Sequence, residues 1–325
     1  MRISMGRRAL VAGAAAALAL GALPALAQND KPLRVILPVS TGSGVDAIMR
    51  AIGPAFSRAL GQPVVIENLP GAGGLTGTQA IVKAAPDGQT IGVVSNNHAV
   101  NPSIYKKMPF DSLADITPIT VGGATPFVLV ANAERVPARN VRELTALLKS
   151  RPDGLNYASS GNGTILHLAT AMVLDEAGAK ALHVPYKGVG PMVTDLVGGQ
   201  VDFGVASVPS VVAHLKSGKL RAIGVTGRER VAALPDVPTV AEQGLPDVDV
   251  AGWFALVGPA RLPAEQVKRI YNAFVAAAGT PEVKEAMEKQ VTILKPMTPE
   301  ASAQYFRTEQ ERYARIVKKA NVTME

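Results

Sequence analysis

The chain contains no cysteine, and it has one tryptophan and four histidines among its 325 residues. Without cysteine it can form no disulfide, no thiolate metal site and no cysteine nucleophile. Four scattered histidines leave little room for a metal site built from imidazoles, and we expect neither a metal nor a cofactor. Charged residues make up 18% and hydrophobic residues 47%, which is the balance of a folded globular protein. The length allows two domains of moderate size.

The first 27 residues have the three-part pattern of a secretory signal. Three arginines in Met1–Arg8 precede an uncharged run, Ala9–Leu23, and the small residues of Ala25–Ala27 follow. We predict cleavage before Gln28. An uncleaved membrane anchor is the alternative, but the run is shorter than the roughly 20 residues that span a bilayer. The paired arginines also permit twin-arginine export, so the pattern predicts an exported protein whose export route stays open.

The net charge argues against a nucleic-acid partner. Loss of the signal would remove three arginines and lower the formal charge from +7 to +4. That charge is too small for a nucleic-acid footprint. The remaining basic residues mostly belong to solvated faces, as in the predicted helix over Glu309–Lys319.

Short apolar runs alternate with amphipathic stretches along the chain. The first cycle is a strand at Leu33–Pro38, a loop rich in Gly, Ser and Thr, and a helix from Asp46 that Pro54 should kink or split. Further strand–helix pairs follow up to residue 94 and again between residues 127 and 226. This alternation predicts an α/β fold of mostly parallel sheets flanked by helices.

One strand–loop–helix pattern occurs twice. Phe127–Val130 and Phe254–Val257 are each followed by Arg-aliphatic-Pro-Ala and by a helix that the proline starts. Chance similarity between two such helices is the alternative interpretation. A chain that crosses twice between two similar lobes would use such a repeat. On that reading one lobe is residues 28–124 plus 251–325, the other is residues 125–250, and a cleft lies between them.

Two loops rich in Gly, Ser and Thr lie where predicted strands end and helices begin. Their flexible backbones and the free N–H groups of a helix start suit a carboxylate, sulfate or phosphate. Either loop alone would be an ordinary capped turn, but one loop from each lobe could hold a single anion across the cleft. The loops contribute the candidate ligand-binding residues Thr41, Gly42, Ser43 and Gly44, and Ser159, Ser160, Gly161, Asn162, Gly163 and Thr164.

Five further side chains are candidates for the cleft. Asp46 could accept a hydrogen bond from a ligand or simply complement the helix dipole. Asn97 and His98 follow the third strand, as donors to the cleft or as a capped surface turn. Tyr186 follows another strand end, and Asp202 ends a turn, where an acid is usual.

The sequence supports no enzymatic function. It lacks the phosphate-loop, nucleophile-elbow and zinc-protease motifs, and Thr76 stands where the dinucleotide fingerprint beginning at Gly71 needs its third glycine.

Several segments resemble, in collinear order, the Bug family of periplasmic solute-binding proteins of tripartite tricarboxylate transporters (TctC-like proteins). They are Ile66–Gly74, Ala85–Thr90, Asn101–Asp111, Ala158–Thr164 with His167, His183–Gly188, Pro235–Glu242 and Trp253–Pro259. The resemblance covers nearly the whole chain after the predicted signal.

The resemblance implies a two-lobed periplasmic-binding-protein fold of type II. It implies a monomer that closes on a small carboxylate and delivers it to a permease of one small and one large subunit. The family's carboxylate-holding loops correspond here to Thr41–Gly44 and Ser159–Thr164. The family's first loop usually reads Pro-Gly-Gly, and Ser43 departs from it by adding a hydroxyl. The choice among dicarboxylates, tricarboxylates, aromatic carboxylates and acidic amino acids therefore stays open. A sensory adaptor for a receptor kinase and an exported carboxylate-processing enzyme are the alternative functions.

Overall fold

The computed structural model describes residues 31–151 and 154–320. The predicted signal, its cleavage site and the last residues of the predicted first lobe lie outside the described residues. None of the helices in these two stretches combines the length and the apolarity that crossing a bilayer requires.

The described chain alternates between strands and helices. The strands are β1 (Leu33–Leu37), β2 (Val64–Asn68), β3 (Thr90–Ser95), β4 (Ile116–Thr125), β5 (Phe127–Asn132), β6 (Asn156–Ser159), β7 (Leu182–Pro185), β8 (Phe203–Ser207), β9 (Leu220–Val225), β10 (Gly252–Pro259) and β11 (Ile293–Leu294). The helices are α1 (Gly44–Leu60), α2 (Leu75–Val82, after a short 3-10 turn at Ala72–Gly74), α3 (Asn96–Ile104), α4 (Val141–Ser150), α5 (Ile165–Ala177), α6 (Val189–Val197), α7 (Val208–Lys216), α8 (Ala264–Ala278), α9 (Pro281–Lys289) and α10 (Pro299–Ala320).

The strands form two sheets, each flanked by helices, and each sheet is the base of one lobe. The first has the order β11-β4-β10-β3-β1-β2, and the second has the order β7-β6-β8-β5-β9. In the first, β1 pairs in parallel with β2 and β3, and in the second β6 pairs in parallel with β7 and β8. The other strand pairings are antiparallel.

Both sheets are therefore mixed, whereas the alternation predicted mostly parallel sheets. The difference comes from β5 and β10, which pair with antiparallel partners on both sides. Neither strand follows a helix that would return the chain to the same edge of its own sheet, so nothing imposes a parallel direction.

The repeated sequence pattern marks these two strands. The chain leaves the first sheet after Thr125 and enters the second at Phe127, and it returns to the first sheet at Gly252. β5 and β10 are thus the first strands after each passage, and every residue of both is buried. Each is followed by a helix, α4 or α8.

α1 runs without a break from Gly44 to Leu60, although Pro54 predicted a kink or a split. Pro54 is exposed, and water can hydrate the carbonyl group that the missing N–H would have bonded. The hydrogen bond that the proline removes is therefore lost on the solvent face of the helix, where water replaces it. Ile52 and Phe56 pack the opposite face into the core.

Candidate functional site

A cavity of about 590 Å³ lies at the carboxyl ends of strands from both sheets. Its polar lining includes Ser40, Ser43, Ser95, Asn96, Asn97, Thr125, Ser160, Asn162, Thr164 and Ser207. Its apolar and aromatic lining includes Pro38, Val39, Val45, Tyr105, Phe127, Ile165, Leu166, Tyr186, Val189 and Trp253. A cavity of this size accommodates a small metabolite with room for water.

Helix starts surround the cavity on both sides. From the first sheet, the starts of α1, the 3-10 turn before α2, and α3 contribute Ser43–Val45, Gly71–Gly74 and Ser95–Asn97 to the lining. From the second sheet, the starts of α5, α6 and α7 contribute Thr164–Leu166, Gly188–Val189 and Ser207. Helix starts carry N–H groups without intrahelical partners and a partial positive charge. The arrangement therefore favours an anion.

The first loop is held in shape from behind by Asp46. Ser43 caps α1, because its Oγ atom accepts a hydrogen bond from the Asp46 amide at 3.2 Å. The Asp46 carboxylate is itself buried and accepts from the Gly42 amide at 3.0 Å, from Arg50 at 2.8 Å and from Asn68 at 3.0 Å. Its charge is thus compensated within the protein, and it fixes the loop rather than facing the cavity.

The second loop is cross-linked by hydroxyl groups. The Thr164 hydroxyl donates to the Gly161 carbonyl at 2.8 Å and accepts from the His167 amide at 3.4 Å, which caps α5. The Ser160 hydroxyl, which lines the cavity, donates to Thr164 Oγ1 at 3.0 Å. Gly161 and Gly163 have φ values of 134° and 71°, which explains why glycine stands at both positions.

Two hydrogen bonds join the sheets at the edge of the cavity. The Ile165 amide at the start of α5 donates to the Asn97 Oδ1 atom at 2.9 Å. The Gly190 amide in α6 donates to the Ser40 hydroxyl at 3.2 Å. Both bonds join a residue near a strand end of the first sheet to a helix start of the second. They are the contacts that would change if the two lobes moved apart.

Aromatic side chains form much of the remaining wall. Trp253 is buried, and its indole N–H donates to the Glu309 carboxylate in α10 at 2.9 Å, which fixes the ring. The Tyr186 hydroxyl donates to Asp195 at 2.8 Å, and burial, helped by that carboxylate, raises the pKa of Tyr186 to about 12. Among the described residues of the lining, Lys187 alone carries a charge, and it is exposed. Recognition of an anion therefore depends mainly on amides and hydroxyls.

The cavity brings together eight of the fifteen residues that the sequence nominated. They are Ser43, Gly44, Asn97, Ser160, Gly161, Asn162, Thr164 and Tyr186. Five others belong to the loops or their supports without lining the cavity: Thr41, Gly42, Asp46, Ser159 and Gly163.

His98 and Asp202 lie outside the cavity altogether. His98 is buried, its Nε2 atom donates to the Ser112 carbonyl at 2.7 Å, and burial lowers its pKa to about 4. Asp202 is buried beside Arg135 at 2.8 Å and accepts from the Asn156 amide at 2.8 Å. Asp202 is a structural side chain, because both of its carboxylate oxygens are bonded within the fold. His98 is packed in the core, where its Nδ1 atom is buried without a hydrogen-bond partner.

The sequence analysis missed several lining residues. Gly71–Gly74 is not among the nominated residues, although its glycines and its place after β2 match the other two loops. Ser207 occupies the N-cap position of α7 at the end of β8, which is the same sequence signal again. Phe127 and Trp253 could not be found from a polar motif, because they contribute apolar surface at the two passages between the sheets.

Comparison with known proteins identifies relatives of this chain. The family model described as tripartite tricarboxylate transporter family receptor matches residues 48–322. The structure of the periplasmic binding protein BugD superposes with a TM-score of 0.87 at 29% identity, covering 90% of this chain and 99% of that one. MatC from Rhodopseudomonas palustris with bound malate gives 0.83 at 29% identity, covering 88% and 98%. A second protein of that organism, with adipate, gives 0.86 at 28% identity, covering 90% and 98%.

Proposed function

Since this chain belongs to the tripartite tricarboxylate transporter receptor family, a family of periplasmic solute-binding proteins rather than enzymes, we propose that it captures a small carboxylate by closure of its two lobes and delivers it to a tripartite membrane transporter. The proposal extends to this chain the kind of ligand present in two of its structural relatives, malate and adipate.

The observation that carries the proposal is the convergence of helix starts from both sheets on one cavity. A carboxylate that accepts hydrogen bonds from both sides stabilises the closed arrangement over the open one by its differential affinity. Amides and hydroxyls can solvate such an anion without a fixed counter-ion, and this favours release as well as capture. The apolar wall would pack against the carbon chain of the ligand.

The closing units in this proposal are residues 28–124 plus 251–325 and residues 125–250. The Asn97–Ile165 and Ser40–Gly190 hydrogen bonds would form on closure. The carboxylate would bind between Ser43–Val45 and Ser160–Leu166, with Asn97 and Tyr186 beside it. The mature protein, cleaved before Gln28, would act as a monomer in the periplasm with a permease of one small and one large subunit.

A thermal-shift screen of the mature protein tests ligand binding. Malate, adipate, citrate, benzoate and glutamate would be compared at equal ionic strength with sodium chloride as the control. A ligand at 100 times its Kd stabilises the native state by about 2.7 kcal/mol and raises its Tm. The single tryptophan, Trp253, lies in the cavity wall, so a fluorescence change at the same ligand concentrations would support binding in the cavity. No Tm shift with any carboxylate would contradict the proposal.

A further inference from the structure

Two histidines stack directly behind the second loop, outside the cavity. His167 of α5 and His183 of β7 have ring centroids 4.1 Å apart and planes that differ by 5°. Tyr157 of β6 continues the stack, 4.7 Å from His183. All three rings are at least partly buried. None of the three rings lines the cavity in which the carboxylate is proposed to bind.

Both imidazoles form hydrogen bonds with the loop that carries Ser160 and Thr164. The Gly163 amide donates to the His167 Nδ1 atom at 3.1 Å. The His183 Nε2 atom lies 2.6 Å from the Ser159 hydroxyl oxygen, which in turn accepts from the Gly161 amide at 3.2 Å. The pair thus holds the two glycines whose positive φ values give the loop its shape.

The Gly163 bond requires a neutral His167 ring. A proton on His167 Nδ1 would remove the acceptor of the Gly163 amide. The Ser159 hydroxyl donates to the Gly161 carbonyl at 3.1 Å, so His183 Nε2 donates to Ser159 in either charge state. Burial lowers the pKa of His167, and burial together with the neighbouring His167 lowers the pKa of His183 to about 4. Two parallel rings 4.1 Å apart would also repel each other strongly if both were charged.

Among the described residues, the acidic side chains on the neighbouring elements are paired elsewhere or lie at the far end of α5. Tyr157 stays neutral, since burial raises its pKa to about 12. On the neighbouring elements, the Asp195 carboxylate accepts from the Tyr186 hydroxyl and Asp202 pairs with Arg135. Asp175 and Glu176 lie at the opposite end of α5 from His167.

We propose that His167 is a positioning residue that holds the Ser159–Thr164 loop in its anion-binding shape only while its ring is neutral, with His183 stacked against it, so that acidification releases the bound carboxylate. The inference rests on the proposed function for its ligand, but the loop geometry that it invokes belongs to the ligand-free protein. An imidazolium at His167 would break the Gly163 bond.

The first test measures binding of malate and adipate by calorimetry between pH 7.5 and 4.5. The double variant H167Q/H183Q keeps a hydrogen-bonding amide at each position but cannot take up a proton. H214Q, which removes a histidine of α7 that does not line the cavity, is the matched control. We expect affinity for each probe to fall at least about tenfold more in the wild type and H214Q than in the double variant at pH 4.5, a difference of about 1.4 kcal/mol. Protonation of the probe itself cancels in this comparison. Equal pH profiles for the double variant and the wild type would overturn the proposal.

The second test needs no ligand. Amide hydrogen exchange of Gly163 is measured by NMR in the wild-type protein over the same pH range, while the imidazole signals report protonation. We expect the protection of the Gly163 amide to fall about tenfold or more as the His167 imidazole titrates, and its protection in the double variant to stay level. Protection that is unchanged through the imidazole titration would overturn the proposal, even if neither malate nor adipate binds. Failure of both probes and the wider screen at pH 7.5 would instead contradict the proposed function.

Discussion

At the scale of single residues, neighbouring hydroxyl groups in the second loop have different tasks. Ser160 lines the cavity and donates to Thr164. Thr164 lines it too, but its oxygen also caps α5 and bonds to the Gly161 carbonyl. Removal of the Ser160 hydroxyl should therefore change ligand binding alone, whereas removal of the Thr164 hydroxyl should change binding and folding together.

We expect Ser160→Ala to weaken binding of malate or adipate by about 1–3 kcal/mol, because the Ser160 hydroxyl, which donates to Thr164 in the ligand-free protein, would turn to donate to the buried carboxylate. Thr164→Ala should weaken binding by a similar amount and also lower the free energy of unfolding by about 1 kcal/mol through loss of the cap. Calorimetry and urea unfolding measure the two effects. Ser217→Ala, at the exposed end of α7, is the control. Unchanged affinity in both loop variants would remove these hydroxyls from the site.

His98 makes stability depend on pH without any ligand. Its ordinary pKa of 6.5 is lowered to about 4 by burial, so between these values the unfolded chain binds a proton that the folded chain excludes. Above pH 6.5 His98 is neutral in both the folded and the unfolded chain and does not affect stability. As the pH falls from 6.5 towards 4, the unfolded chain takes up the proton and the free energy of unfolding is progressively lost.

We expect the wild type to lose roughly 3 kcal/mol of unfolding free energy through His98 on acidification from pH 7 to 4, since each pKa unit corresponds to about 1.4 kcal/mol. His98→Gln keeps a donor for the Ser112 carbonyl and should flatten the profile by that amount. Urea unfolding at several pH values, with His214→Gln as the control, measures it. A profile as steep as that of the wild type would show that His98 is not the group responsible.

At the scale of elements, the start of α6 is in close contact with the first loop across the cleft. A Cβ atom added to Gly190 would lie 2.5 Å from the carbonyl oxygen of Thr41. The backbone at Gly190 has no positive φ that would disfavour alanine. A methyl group there should therefore separate the two lobes without distorting α6 itself.

We expect Gly190→Ala to lower the affinity for malate or adipate about tenfold or more and to change the Tm little, because opening of the cleft relieves the clash. Gly53→Ala is the matched control, since a Cβ atom there would meet only Ile66 at 3.5 Å in the middle of α1. Affinity equal to that of the control would indicate that binding does not bring α6 against the first loop.

The sequence predicts the elements that obey simple periodicity and misses those that do not. The strand–loop–helix units that carry the two nominated loops follow from alternation of apolar and amphipathic stretches. β4 was missed because it bulges against β10 and contains two consecutive glycines, Gly122 and Gly123. α3 was interpreted as a turn because Pro102 lies inside it and its first residues are Asn96 and Asn97.

The same limit applies to the site. Amide-rich helix starts have a recognisable composition, and this is why Ser43, Ser160 and Thr164 could be nominated. A histidine after a strand has no such signature, and only tertiary packing decides that His98 joins Phe110 and Phe306 in the core. Trp253 lines the cavity because β10 returns from the other sheet, which is a property of topology rather than of local sequence.

At the scale of the whole molecule, the two sheets share one binding cavity and α10 supports it from outside. α10 supplies Glu309 to Trp253 and the buried Tyr313, whose hydroxyl lies 2.6 Å from the Asn96 amide nitrogen. Asn96 in turn accepts from the Trp253 amide at 3.0 Å. Lining residues from α3 and β10 are thus fixed by a helix close to the end of the described chain.

A crystal structure of the mature protein with adipate or malate bound tests the central claim most directly. The account predicts that one carboxylate group accepts hydrogen bonds from the Ser43–Val45 segment of the first lobe and from the Ser160–Leu166 segment of the second, either directly or through a single ordered water. A ligand that contacts only one of these two helix starts, or that binds outside the cavity, would contradict it.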